Sequence, residues 1–348
     1  MIFSPQKNST ALPIALDCMG GDHAPVENCK AAVDALRSGM KLLLVGREPV
    51  IREQLAALDG LGFLGNGAEI VHAEEVVEMD DPATSPIKKK KNSSIRICGE
   101  LVRDGRASGF VSPGNTGALV AVATLIIGRI EGVERPALTA VAPGETAPTV
   151  LLDMGATPDC RPEHLLQFAR MGDLFAQILF KIPRPRIGLL SLGTEEHKGN
   201  ELIKAAHELL KNSGLNFVGN VEGSDMLRSR VEVIVCDGFT GNVMLKTAEG
   251  VAHAFKKTLK FEIKSRVSSQ IGGLLAKSAF RAFERRFDDS DYGGALLMGV
   301  AGVCVKAHGK STAKAIRSAI RVAHTFVDAG LQDRIHEAML TINGAATK

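Results

Sequence analysis

The sequence predicts an α/β protein built on a mostly parallel β-sheet with helices on both faces. Short apolar runs recur along the chain, continuous enough in Val, Ile and Leu to be strands buried on both sides. Segments with helical spacing separate most of them, the alternation that parallel strands need for their crossovers. Glycines and asparagines collect where several runs end, and open parallel sheets bind ligands outside the carboxyl ends of their strands.

In chain order, PIALDC near 13 is the first strand, and the helical VENCKAAVDALRSG, Val26 to Gly39, follows it. Further strands are KLLLVG near 41, GFVSP near 109, TVLLDMG near 149 and RIGLLSLG near 186. The helix GNELIKAAHELLKNSG, Gly199 to Gly214, then precedes NFVGNV near 216 and VEVIVC near 231. From Gly241 to Phe287 the pattern is long, basic and helical and holds no strand. Within 254–287 only Glu262 and Glu284 are acidic. Ile263, Val267, Ile271, Leu274 and Leu275 share one helical face. Phe280, Phe283 and Phe287 form a stripe on another face after Gly272-Gly273, so a break there makes a helical hairpin outside the sheet. Such an arm serves dimerisation, contact with an anionic membrane surface, or both. CVKAHGKS, Cys304 to Ser311, lacks the first glycine of a P-loop and reads as a turn.

Composition narrows the function classes. At 348 residues, 45% hydrophobic and 23% charged, the chain has the material for a large core. A net charge of +3, one Tyr and no Trp argue against nucleic acid as a partner. The six cysteines show no C-x-x-C pair and read as small buried hydrophobes in a reducing compartment. MIFSPQKNSTALP lacks a signal-peptide pattern, and no run of 18 apolar residues occurs, so a cytoplasmic location is expected. With no repeat and no clear linker, residues 13–345 are expected to form a single two-lobed domain after a flexible N-terminus, 1–12.

Four strand ends share a chemistry. The first carries Asp17, Gly20, Gly21 and Asp22; the second Gly114, Asn115, Thr116 and Gly117; the third Lys198, Gly199 and Asn200 after Gly193. The fourth, DGFTGNVMLK, carries Asp237, Gly238, Gly241, Asn242 and Lys246. Three of the four hold a Gly-Asn pair just ahead of a helix. One pair is an N-cap preceded by a tight turn. Three in one chain suggest a shared anion pocket, because helix N-termini offer free N–H groups and positive dipole ends. Lys198 and Lys246 add positive charge there or are solvated helix lysines. The motifs for dinucleotides, zinc and serine nucleophiles are missing, so neither cofactor nor metal is expected. Cys18 and Cys236 stand at strand ends where a nucleophile can sit, or are core. Anion-binding loops without a protein nucleophile suit a reaction in which inorganic phosphate itself attacks a carbonyl.

IALDCMGGDHAP, SPGNTGAL, ERPAL, LLDMGAT, DCRPEHLLQFA, LGTEEHKGNEL, NFVGNVEG, VCDGFTGNVMLKTAEG, YGGALLMG and VKAHG, in that order from about Pro13 to past Gly309, closely resemble the bacterial phosphate acyltransferase family PlsX. The resemblance implies a three-layer α/β/α sandwich similar to isocitrate and isopropylmalate dehydrogenases and phosphotransacetylases. It implies a homodimer that makes acyl phosphate from long-chain acyl carrier protein and inorganic phosphate, beside a glycerol-3-phosphate acyltransferase at the membrane. By resemblance, Lys198 of K-G-N-E and Asn242 of T-G-N-V are the catalytic pair. The basic run Lys88 to Lys91 is a docking site for the acidic carrier protein or a solvated face. Pro113, Thr157 and Ile95 stand where the family usually has Ala, Asn and Met; Thr157 puts a polar role at its position in doubt. The nearest rival is a phosphotransacetylase acting on small coenzyme A thioesters.

Overall fold

The computed structural model describes residues 12–280 and 293–346. Residues 1–11 of the expected flexible N-terminus, and Phe283 and Phe287 of the second stripe, lie outside the described residues. The strands are β1 (Ile14–Asp17), β2 (Leu42–Gly46), β3 (Ala68–His72), β4 (Gly109–Ser112), β5 (Ala137–Ala142), β6 (Thr149–Leu152), β7 (Ile187–Leu190), β8 (Phe217–Val221), β9 (Val233–Val235), β10 (Ala295–Met298) and β11 (Val303–Lys306). They join in one 11-stranded sheet of order β3-β2-β1-β4-β11-β10-β5-β6-β9-β7-β8. From β3 to β11 the pairings are parallel, and so are those from β6 to β8. Between these halves, β10 and β5 pair antiparallel with each other and with their outer neighbours.

Each apolar run read as a strand forms one. Four strands escape that reading for physical reasons. β3 lies at the sheet edge with Glu69 and His72 exposed, so its apolar signal is diluted. β5 is ALTAVA, and alanine gives little strand signal. β10 and β11 are set among the glycines Gly294, Gly299 and Gly302, whose turn signal masks them. CVKAHGKS is therefore not simply a turn: Cys304–Lys306 belong to β11, and the turn follows, closed by Ser311 N–H donating to the His308 carbonyl.

Alternation along β1 sends Ile14 and Leu16 into one hydrophobic cluster and Ala15 into another. The first cluster is completed by helices α1 (Val26–Arg37), α6 (Pro162–Phe180), α7 (Glu201–Lys211), α11 (Ala313–Asp328) and α12 (Leu331–Ala346). The second takes α4 (Ser94–Arg103) and α5 (Thr116–Val122). Helices on both faces of one sheet make the three-layer arrangement expected. α9 (Gly238–Ser265) starts from β9 and runs on as the arm, and α10 (Val267–Leu275) folds back along it. A Cβ on Gly273 would lie 2.8 Å from the Ile263 side chain, which places the two helices in contact. The hairpin is present, but its break falls at Arg266, whose backbone is extended, and not at Gly272-Gly273.

Candidate functional site

The reversal of strand direction at β10 and β5 divides the expected strand-end loops into two groups. Neighbouring β1, β4 and β11 carry the first, and neighbouring β6, β9 and β7 carry the second.

In the first group Asp17, fully buried at the end of β1, organises the turn. Its carboxylate accepts from the Ser112 hydroxyl at 2.6 Å and from the N–H groups of Met19 and Gly20 at 3.1 and 3.0 Å. Burial raises its pKa despite those donors. Gly20 lies against the next loop: a Cβ there would sit 2.5 Å from Asp17 Oδ2 and 2.8 Å from the Gly114 nitrogen. The Gly114 N–H donates to Ser112 Oγ. Asn115 caps α5 by accepting from Ala118 N–H, and its Nδ2 donates to the carbonyls of Met79 and Asp81 at 3.0 and 2.9 Å. Its side chain is therefore committed to structure. The Asp22 N–H donates to the Gly309 carbonyl and ties this turn to the one after β11, and Gly21 packs on Pro113 and Gly309 in a left-handed conformation. Thr116 and Gly117 form the exposed and half-exposed first turn of α5.

The second group repeats the device. Asp153, buried after β6, accepts from the N–H groups of Leu138, Gly155, Ala156 and Thr157 at 2.7, 3.1, 3.0 and 2.6 Å. Burial raises its pKa as well. Thr157 does have a polar role, a structural one: its hydroxyl donates to Pro136 and its carbonyl accepts from Gly238 N–H. Asp237, and not the Gly-Asn pair, caps α9, accepting from Thr240 N–H at 2.9 Å and from its hydroxyl at 2.7 Å. The expectation that Asn242 precedes a helix is thus corrected. Gly241 and Asn242 lie inside α9, where a Cβ on Gly241 would overlap the Asp153 carbonyl oxygen. Asn242 is exposed, beside Gly155, and its amide has no hydrogen-bond partner among the described residues. After β7, Asn200 caps α7 by accepting from Ile203 N–H at 3.0 Å. Gly199, at φ +108°, turns the chain just after Lys198. Lys198 is exposed, and its ammonium makes no ion pair among the described residues. Since β7 and β9 are adjacent and parallel, Lys198 and Asn242 rise from the same edge. Lys246 is exposed and pairs with Glu249 at 2.7 Å.

The cysteines at the strand ends are core. Cys18 and Cys236 are buried, and their thiols are pushed well above the ordinary range, Cys18 mainly by its hydrogen bond with Cys29 and Cys236 by burial. Neither is a thiolate at neutral pH. Lys306 was missed as a site residue. It ends β11 opposite Ser112, is 7% exposed, and burial lowers its pKa to about 8, with the positive charge of Lys246 adding to the effect. The only signal for it was the lysine in VKAHG. A cavity of about 500 Å³ lined by Lys41, Arg52 and Glu69 opens at the starts of β2 and β3, away from these loops. Among the described residues, no group of three or more His, Cys, Asp and Glu is arranged to hold a metal.

Residues 12–334 match the family described as fatty acid synthesis protein. A phosphate acyltransferase of Nitratidesulfovibrio vulgaris is 48% identical over 336 residues, covering 95% of each chain. One from Pelotomaculum thermopropionicum is 48% identical over 332 residues, covering 95% of this chain and 96% of its own. Among solved structures, a phosphotransacetylase from Streptococcus pyogenes superposes with a TM-score of 0.63 at 18% identity, covering 92% of this chain and 94% of its own; that likeness concerns the fold.

Proposed function

The chain belongs to the family of fatty acid synthesis proteins, and from that premise we infer that it is a phosphate acyltransferase of lipid synthesis. It transfers the acyl group of a long-chain acyl carrier protein thioester to inorganic phosphate, forming the acyl phosphate used early in phosphatidic acid and phospholipid synthesis. A phosphate oxygen attacks the thioester carbonyl carbon, the C–O bond forms, the C–S bond breaks, and the carrier thiol leaves. Phosphate is already an anion, so the protein's task is to hold it, align the carbonyl and stabilise the tetrahedral oxyanion.

The observation that carries this reading is the freedom of Lys198 and Asn242. At the strand ends of both halves, Asp17, Asp153, Asp237, Asn115 and Asn200 spend their side chains on shaping loops. Lys198 offers positive charge to phosphate and oxyanion, and Asn242 orients phosphate or the thioester carbonyl. Gly20, Gly21, Gly114, Gly199, Gly238 and Gly241 let the backbones approach closely enough to form the cradle, while Asp22, Thr116, Gly117 and Lys246 line it. The buried, protonated cysteines agree with direct attack by phosphate and no acyl-enzyme.

The remaining partners follow from surface features. Lys90 donates to the Val76 carbonyl and to Asp81, which leaves exposed Lys88, Lys89 and Lys91 as the docking site for the acidic carrier protein. The arm exposes Phe261, Val267, Leu274 and Leu275, each at least 68%, and these apolar groups serve a homodimer and an anionic membrane surface where a glycerol-3-phosphate acyltransferase takes the product. No helix among the described residues is long and apolar enough to cross a membrane. Residues 13–345 act as one two-lobed catalytic domain. Lys198→Ala and Asn242→Ala are each expected to slow acyl phosphate formation by about 10²-fold or more. Near-normal rates in both variants would refute the assignment.

A further inference from the structure

We propose that Lys306 is a phosphate-binding residue of this site. The inference rests on the acyltransferase reading and adds a residue to it.

Position is the first argument. β11 lies beside β4, with Lys306 opposite Ser112, so its ammonium stands at the carboxyl end of the β1-β4-β11 shelf, among the turns of Asp17, Gly20 and Gly114. Its surroundings are the second. The side chain is buried, yet it forms no ion pair among the described residues, and its Nζ donates to two backbone carbonyls, those of Pro113 at 3.4 Å and Ala307. A buried ammonium held by neutral acceptors alone is costly unless an anion compensates it. Nearby Asp17 and Asp22 favour its charged form, but the Asp17 carboxylate is already taken up by Ser112, Met19 and Gly20.

The third argument is Lys246. It stands on α9, in the opposite half of the sheet, and is paired with Glu249 at 2.7 Å, yet its positive charge still opposes that of Lys306. The two positive charges weaken each other. A dianion between them reverses that, because each charge then stabilises the complex. The charged groups that act on Lys306 are Lys246 of α9, Asp17 at the end of β1 and Asp22 in the following turn. Burial and Lys246 hold its pKa near about 8. Bound phosphate is expected to raise it.

The competing role is structural, with Lys306 merely holding Pro113. Steady-state kinetics on the full chain separate the two. In Lys306→Met the KM for inorganic phosphate should rise by about tenfold or more, the loss of one charge-assisted hydrogen bond. The KM for acyl carrier protein thioester should stay within about twofold, and Lys306→Arg should recover part of the loss. An unchanged phosphate KM in an active, folded Lys306→Met, or an equal rise in both KM values, overturns the proposal. A second measurement needs no folded variant. In the wild-type chain, saturating inorganic phosphate should move the 13Cε resonance of Lys306 and raise its titration midpoint, and an unmoved resonance overturns the proposal. A wild-type chain that makes no acyl phosphate would refute the underlying reading; an active one that fails either test refutes only the role of Lys306.

Discussion

The residues divide into those that shape loops and those left free. Asp153 receives four backbone N–H donors, and Asp153→Asn replaces one accepting oxygen with an amide that faces them. That substitution should destabilise the protein by about 2–4 kcal/mol, measured by denaturant unfolding. Cys236→Ala should leave turnover within a few-fold, because its thiol is buried and protonated; a complete loss of activity in a folded variant would bring back an acyl-enzyme. Lys306 has a clear pH signature. Its pKa in the folded chain, about 8, lies below the ~10.4 of an unfolded lysine. Below pH ~8 the cost of burying its charge is fully present. As pH rises toward ~10.4 the folded state has shed the proton that the unfolded state keeps, so unfolding free energy should rise over that window in the wild type relative to Lys306→Met.

At the scale of elements, much of the site could be read from the sequence. Each long Val/Ile/Leu run became a strand, and the strand-end residues were visible as glycines, asparagines and aspartates. What could not be read was which polar groups satisfy one another. Asn115, Asn200 and Asn242 look alike in sequence, yet two cap helices and the third is free because Asp237 takes the cap of α9. The break in the arm was misplaced for a similar reason: Arg266 turns the chain, whereas Gly273 serves contact with Ile263. Gly241→Ala tests the start of α9, since the added methyl would overlap the Asp153 carbonyl oxygen. It should lower both thermal stability and acyl phosphate formation. A variant as stable and active as wild type would mean that Asn242 tolerates a shifted helix.

On the scale of the whole molecule, β10 and β5 are the consequential elements. They reverse strand direction, so the two groups of loops belong to separate halves, and the positive charge of Lys246 on α9 in one half acts on Lys306 in the other. Neither β5 nor β10 was legible as a strand, so the sequence suggested one shared row of strand ends where the structure has two. The arm also belongs to this scale. If the arm serves the proposed homodimer and membrane contact, substituting Ser for Phe261, Val267, Leu274 and Leu275 together should lower the sedimentation coefficient to that of a monomer and weaken binding to anionic vesicles at low salt. Unchanged sedimentation and unchanged vesicle binding would leave the arm without either role. The central claim, however, is chemical. Purified protein incubated with long-chain acyl carrier protein and 18O-labelled inorganic phosphate should yield acyl phosphate carrying the label, seen by mass spectrometry. Intact acyl carrier protein thioester and no acyl phosphate would contradict it.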